Sequence, residues 1–249
     1  MLDRIFQDQE QYRRWRLRKI QRIERRLPYA FAAAGKHVLD IGCGTEAPLS
    51  FYLSTAKQAT VFAGEPAYES VASARQAAPQ ASMACFCAEQ LPFADQQFES
   101  VYLLSMLEHV HDPRATLYEA YRVTRPGGML FIEFSPYYAY PSGHHLYTLG
   151  FPKGFLPFQW MPRDLTRQIV FQAQLKTKDT PEFLFEQFDT LNKIQVSTFR
   201  NIIREMGLTV CDEYAMLVLP NGEIPLPEIH RLPYLRELVA MGYTCVALK

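Results

Sequence analysis

The chain has 249 residues, 48% of them apolar, enough to bury a full core and too apolar for disorder. Lysine plus arginine and aspartate plus glutamate stand at 26 each, so no global field draws the protein to nucleic acid or anionic lipid. Five cysteines, Cys43, Cys85, Cys87, Cys211 and Cys245, form no disulfide framework and read as reduced thiols of a cytoplasmic protein. The amino terminus carries charges where a signal peptide needs an apolar stretch, and no run reaches membrane-spanning length, so a soluble protein is expected.

Residues 1 to about 30 form a charged helical run closed by Pro28. Trp15, Ile20, Ile23 and Leu27 fall at roughly helical spacing among arginines. Such a helix either packs one face on the domain with its arginines in water, or closes over a ligand. From Lys36 strand and helix alternate. Strands are predicted at His37–Ile41, Ala59–Gly64, Ala81–Phe86, Glu99–Ser105 and Met129–Phe134, with helices near Ala47–Thr55, at Tyr68–Ala77 and at Pro113–Thr124. That rhythm indicates right-handed βαβ units and a parallel sheet covered on both faces. It breaks at Ser135. Residues 136–195 are rich in aromatics, proline and glycine and read as an inserted cap or substrate-binding element. A helix near Val196–Met206, a strand near Leu208–Leu217, a proline-rich connection from Pro220 to Pro233 and a final strand at Tyr243–Leu248 follow. Four segments are therefore expected: 1–35 helical, 36–135 the ligand-binding core, 136–195 the cap, and 196–249 the rest of the core.

The stretch VLDIGCGTEAPLS, Val38 to Ser50, carries the most chemistry. A buried strand brings Asp40 to its carboxyl end, and Gly42 and Gly44 let the backbone turn tightly beside a ligand. Glu65 closes the next strand about twenty residues on, where an acid accepts both ribose hydroxyls of a nucleoside. Binding is expected beyond the carboxyl ends of the strands, where strand order reverses.

VLDIGCG, AEQLPFADQQFESVYLLSMLEHVHDP (Ala88–Pro113) and EAYRVTRPGGMLFIEF (Glu119–Phe134), in that order, make the chain resemble the class I S-adenosylmethionine-dependent methyltransferases, especially the group with the menaquinone and ubiquinone biosynthesis enzymes. The resemblance covers roughly residues 36–135. It implies a Rossmann-like, doubly wound α/β sheet of seven strands with an antiparallel last strand, and S-adenosyl-L-methionine as cofactor. By position Asp40, Gly42 and Gly44 would line the methionine end, Glu65 the ribose, Ala88 and Glu89 the adenine, and Ser105 and Met106 the base of the cleft. Two departures stand out. Glu46 replaces a glycine common in relatives; it either faces the positive end of the cofactor or favours the start of the following helix. Cys87 stands where relatives place an aspartate for the adenine amino group.

Methyl transfer from a sulfonium needs alignment, exclusion of water and, for a hydroxyl acceptor, removal of a proton. His144 and His145, amid tyrosines of the insertion, are the expected general-base candidates. Glu108, His109 and His111 are metal-ligating types too, but they share no compact spacing with His144 and His145, and Cys85-Phe86-Cys87 has no second pair, so no metal is expected. SPYY (Ser135–Tyr138) looks like the clamp of methyltransferases acting on planar nitrogen, but it follows the fifth predicted strand rather than the fourth, and nucleic-acid methylation is not expected. The sequence reads as a methyltransferase for a small-molecule or carrier-linked acceptor (a metabolite, glycan or natural-product intermediate), with a hydroxyl favoured. A nicotinamide-dependent oxidoreductase on the same sheet and a catalytically silent methyltransferase-like partner protein are the rivals.

Overall fold

Short apolar runs bounded by glycine or polar turns build the sheet, and the alternation along them decides which residue enters which of two cores. The computed structural model describes residues 9–175, 179–219, 222–226 and 228–249. Residues 1–8 of the expected amino-terminal helix, 176–178 of the insertion, and 220, 221 and 227 of the proline-rich connection lie outside the described residues.

Helix α1 (Gln9–Arg26) leads into strand β1 (His37–Ile41), helix α2 (Pro48–Thr55), strand β2 (Thr60–Glu65), helix α3 (Tyr68–Ala77), strand β3 (Ser82–Cys85), strand β4 (Phe98–Leu104), helix α4 (Pro113–Val123) and strand β5 (Thr124–Phe134). Helices α5 (Arg163–Phe171) and α6 (Pro181–Asp189) belong to the insertion. Helix α7 (Val196–Glu205), strands β6 (Thr209–Leu219) and β7 (Gly222–Leu226), helix α8 (Pro233–Val239) and strand β8 (Gly242–Leu248) complete the chain.

The strands form one sheet in the order β3-β2-β1-β4-β5-β8-β6-β7. Neighbours from β3 to β5 run parallel, while β8 runs antiparallel to both β5 and β6. This is the Rossmann-like arrangement that the resemblance implies, mostly parallel with an antiparallel last strand. The seven expected strands are all present, and β7 is an eighth, paired antiparallel to β6 where the sequence reads as a connection. Pro225 lies within β7 and cannot donate to a ladder, but an edge strand tolerates that loss because one side pairs with nothing. β5 also begins at Thr124, before Pro126-Gly127-Gly128, with a register shift between Phe98 and Ser100 of its partner β4 absorbing the turn.

Leu39, Ile41, Val101, Leu103, Leu130 and Ile132 enter one core, against α4 and α7. Val38, Val61, Ala63, Tyr102 and Phe131 enter the other, where Ile20 and Ile23 of α1 and Leu27 just beyond its end join them. Each of these three side chains is worth roughly 1.5–3 kcal/mol in burial. The insertion has a third core of its own around Tyr137, Leu146, Phe158, Val170, Leu184 and Phe188. Among the described residues no helix is long and apolar enough to cross a membrane.

Strand order reverses between β1 and β4. A ligand site is expected beyond the carboxyl ends of those two strands, and a cleft of about 790 Å³ opens there.

Candidate active site

The β1–α2 turn forms one wall. Gly42 and Gly44 take φ of +71° and +72°, a region costly for any residue with a Cβ. A Cβ on Gly42 would stand 2.7 Å from the Cβ of Met106, so the turn can lie against β4 only as glycine. Asp40 braces this turn from behind. It is buried, its Oδ2 accepts the Ser50 hydroxyl at 2.6 Å, and it does not line the cleft. Burial pushes its carboxyl up to about 6, against the opposing hydrogen bond from Ser50.

Glu65, the last residue of β2, lines the cleft, and its Oε1 accepts the Gly44 N–H at 2.5 Å. Burial raises its carboxyl above the usual value. Next to it Cys87, Ala88 and Glu89 line the same end. Ala88 is buried, and Glu89 Oε1 accepts the N–H groups of His111 (2.8 Å) and Asp112 (3.3 Å). Glu46 also lines the cleft; α2 starts two residues later at Pro48, after Ala47 in the left-handed region.

Ser105 closes the opposite wall at the end of β4. Its hydroxyl donates to Glu133 Oε2 at 2.8 Å and accepts from Arg16 (3.1 Å) and Lys19 (3.2 Å). Lys19 Nζ reaches both Glu133 oxygens, at 2.9 and 2.8 Å, with the two side chains 7% and 3% exposed. Burial alone would raise the Glu133 carboxyl, yet the Lys19 charge and the Lys19 and Ser105 hydrogen bonds bring it below its usual value. Trp15, Arg16 and Lys19 all line the cleft, so α1 both completes a core and walls the site. Arg16, Lys19 and Glu133 are site residues the sequence did not single out. An acid inside the apolar run MLFIEF was the available signal, since a buried carboxylate needs a partner.

The far end is built by the segment after β4 and by the insertion. Glu108 is 4% exposed; its Oε1 accepts the Ser135 N–H at 3.3 Å, and its Oε2 has no partner among the described residues. Burial pushes this carboxyl up to about 7. His145, at φ +59°, places Nε2 4.0 Å from Glu108 Oε1, and its ring centroid is 5.0 Å from that of His109. His144 points elsewhere. It lies inside the insertion against Phe158, with Nδ1 accepting the Leu146 N–H at 2.9 Å, and it does not line the cleft. Of the expected site residues, Gly42, Gly44, Glu65, Ala88, Glu89, Ser105 and His145 therefore share one cleft, and Asp40 and His144 stand behind its walls.

Sheet order, the glycine turn and the acid at the end of β2 define an α/β domain with a cleft where strand order reverses. Comparison with known proteins narrows the class. Residues 39–132 match the family model described as a methyltransferase domain. The chain is 32% identical over 110 residues to O-methyltransferase resE of Aspergillus sclerotiorum, covering 41% of this chain and 40% of that protein. It is 31% identical to a demethylmenaquinone methyltransferase of Renibacterium salmoninarum, over 50% and 49% of the two chains. To a ubiquinone biosynthesis O-methyltransferase of Pseudomonas putida it is 34% identical, over 47% and 51%. The chain thus spans about half the length, or less, of these relatives. Among solved structures, a SAM-dependent methyltransferase from Methanosarcina mazei superposes with a TM-score of 0.55 at 17% identity, over 90% and 96% of the two chains. One from Aquifex aeolicus gives 0.51 at 15%, over 90% and 88%. The chain carries a class I S-adenosylmethionine-dependent methyltransferase domain, whose family uses S-adenosyl-L-methionine as cofactor.

Proposed function

We propose that this protein transfers the methyl group of S-adenosylmethionine to a hydroxyl of a small-molecule or carrier-linked acceptor. One observation carries the reading: a single cleft joins the Gly42–Gly44 turn and Glu65 at one end to Glu108, His109 and His145 at the other. The cofactor fits the first end. A Cβ at Gly42 would press on Met106 and disturb the wall the methionine moiety lies along, and Glu65 is fixed by Gly44 with a carboxylate left to receive ribose hydroxyls. Arg16, whose bonds run to the neutral oxygens of Ser105 and Leu104, faces the methionine carboxylate. Cys87, Ala88 and Glu89 flank the adenine.

Bound there, the cofactor supplies an already activated methyl group. The protein's share is to orient both reactants and exclude water. Helix α1 closes one side of the cleft and the insertion closes another, through Pro141, His145, Tyr147 and Phe155. His145 belongs to the acceptor end, while His144 holds the turn that presents it. The O-methyltransferases among the relatives favour an oxygen acceptor, and the malonyl-[acyl-carrier protein] O-methyltransferase of Serratia marcescens, 33% identical over 107 residues, keeps carrier-linked acceptors in range. All five cysteines are free thiols, which fits a reducing, cytoplasmic setting.

Calorimetry with S-adenosylmethionine and with NAD tests the cofactor assignment. Wild type should bind the former, and Glu65→Gln should bind it about 10–100-fold more weakly, since a charge-assisted hydrogen bond contributes about 1.5–3 kcal/mol. Binding of NAD instead, or unchanged affinity in a folded Glu65→Gln variant, sinks the reading. Mass spectrometry of cell extracts incubated with enzyme and labelled cofactor then identifies the acceptor.

A further inference from the structure

Three groups meet at the acceptor end for which the cofactor has no use. Glu108 and His109 follow β4 directly, and His145 arrives from the insertion. One nitrogen from each histidine and one oxygen of Glu108 all lie within 4.8 Å of one another. Glu108 is buried with its Oε2 unpartnered among the described residues, an arrangement that costs free energy unless a donor or cation completes it. Lys19, whose charge acts on Glu108, is already held by both oxygens of Glu133. The His145 Nε2–Glu108 Oε1 separation of 4.0 Å is too long for a hydrogen bond. It is close to the spacing of two ligands on one ion, since metal–ligand bonds of about 2.0–2.2 Å place tetrahedral neighbours roughly 3.3–3.5 Å apart.

We propose that Glu108, His109 and His145 hold a divalent first-row transition-metal ion, of which zinc is the type. Two imidazoles and one carboxylate suit such an ion better than magnesium or calcium, which prefer oxygen alone. Three protein ligands leave at least one position open, as in catalytic zinc sites. All three residues line the cleft, so the open position faces the acceptor. This rests on the hydroxyl-acceptor reading and adds the device that activates the hydroxyl. Bound to the ion, the hydroxyl releases its proton to water. An oxygen lone pair then forms the bond to the methyl carbon as the carbon–sulfur bond breaks, and that pair stays on sulfur, which becomes a neutral thioether. In this arrangement His145 is a ligand rather than a base.

The test is binding of cobalt(II), followed by its visible absorption and competed with zinc, to the chelator-treated 249-residue chain. S-adenosylmethionine calorimetry on the same samples runs beside it. Wild type should take up one ion per chain. His109→Ala and His145→Ala should each weaken binding at least about tenfold while cofactor affinity changes less than twofold, and Glu108→Gln should do the same. Circular dichroism checks each variant, and the exposed position of His109 makes His109→Ala the variant least able to disturb the fold. Absence of stoichiometric uptake by wild type overturns the proposal, as does uptake unchanged in both histidine variants, which would put the ion elsewhere. Either result with cofactor binding intact leaves the methyltransferase reading standing. Loss of cofactor binding in wild type brings down that reading instead.

Discussion

Replacing Lys19 with methionine removes one half of a buried ion pair and keeps most of the side-chain volume. Glu133 then sits at the carboxyl end of β5 with its cation gone, keeping the Ser105 hydroxyl at 2.8 Å. With the pair 7% and 3% exposed, water cannot compensate, and the penalty for stranding one buried charge is about 3–5 kcal/mol. That is a large share of the roughly 5–15 kcal/mol that holds a domain folded. Glu133→Met should cost a similar amount by stranding Lys19. The double variant Lys19→Met/Glu133→Met removes both charges and should be more stable than either single variant, because an apolar pair of similar volume often matches a buried ion pair. Urea denaturation followed by circular dichroism gives the three free-energy differences and their coupling. Single variants within about 1 kcal/mol of wild type, with an additive double, would show that the pair behaves as a solvated surface contact and that α1 is not locked to the sheet.

Two further outcomes are expected. Gly42→Ala forces a side chain into the left-handed region at φ +71° and against Met106; at about 1–2 kcal/mol for the conformation, the melting temperature should fall by roughly 2–8 °C, and an unchanged melt would show that the turn relaxes freely. Asp40, with its folded value pushed up to about 6 against about 3.9 unfolded, keeps its proton longer in the folded state, so its contribution is fully present below pH 4 and lost as pH rises through 6. The cofactor-free wild type should lose stability across that window relative to Asp40→Asn, and parallel pH–stability curves for the two would contradict the buried placement of the carboxyl.

Much of the sheet was legible because its signals are local. β1 and α3 fall at the predicted residues, where a short apolar run meets a glycine turn and a helix is closed before Pro79. β7 was hidden by Pro225, which argues against a strand everywhere but at an edge. In the insertion the aromatic density marked a break in the alternation of strand and helix, but α5 and α6 were not drawn from it, since its apolar residues serve a small core of their own. The two readings of α1 do not exclude each other, since Ile20 and Ile23 enter the core while Trp15, Arg16 and Lys19 line the cleft. The gathering of Glu108, His109 and His145 escaped spacing arguments because helix α4, strand β5 and the start of the insertion separate His145 from the other two. Only the return of the chain over the sheet brings them together.

The insertion's private core has a consequence for engineering. The family match ends at Ile132, so Gly42, Gly44, Glu65, Glu108 and His109 lie inside the matched segment, while His145, Tyr147 and Phe155 of the cleft lining come from the insertion beyond it. Tyr137, Leu146, Phe158, Val170, Leu184 and Phe188 consolidate the insertion apart from the two cores that hold the sheet. The fold is thus divided in the manner of a handle and an exchangeable tool. On the proposed reading, segments grafted between the ends of β5 and α7 would re-shape what is methylated and leave the turn at Gly42 and Gly44 and the acid Glu65 unaltered.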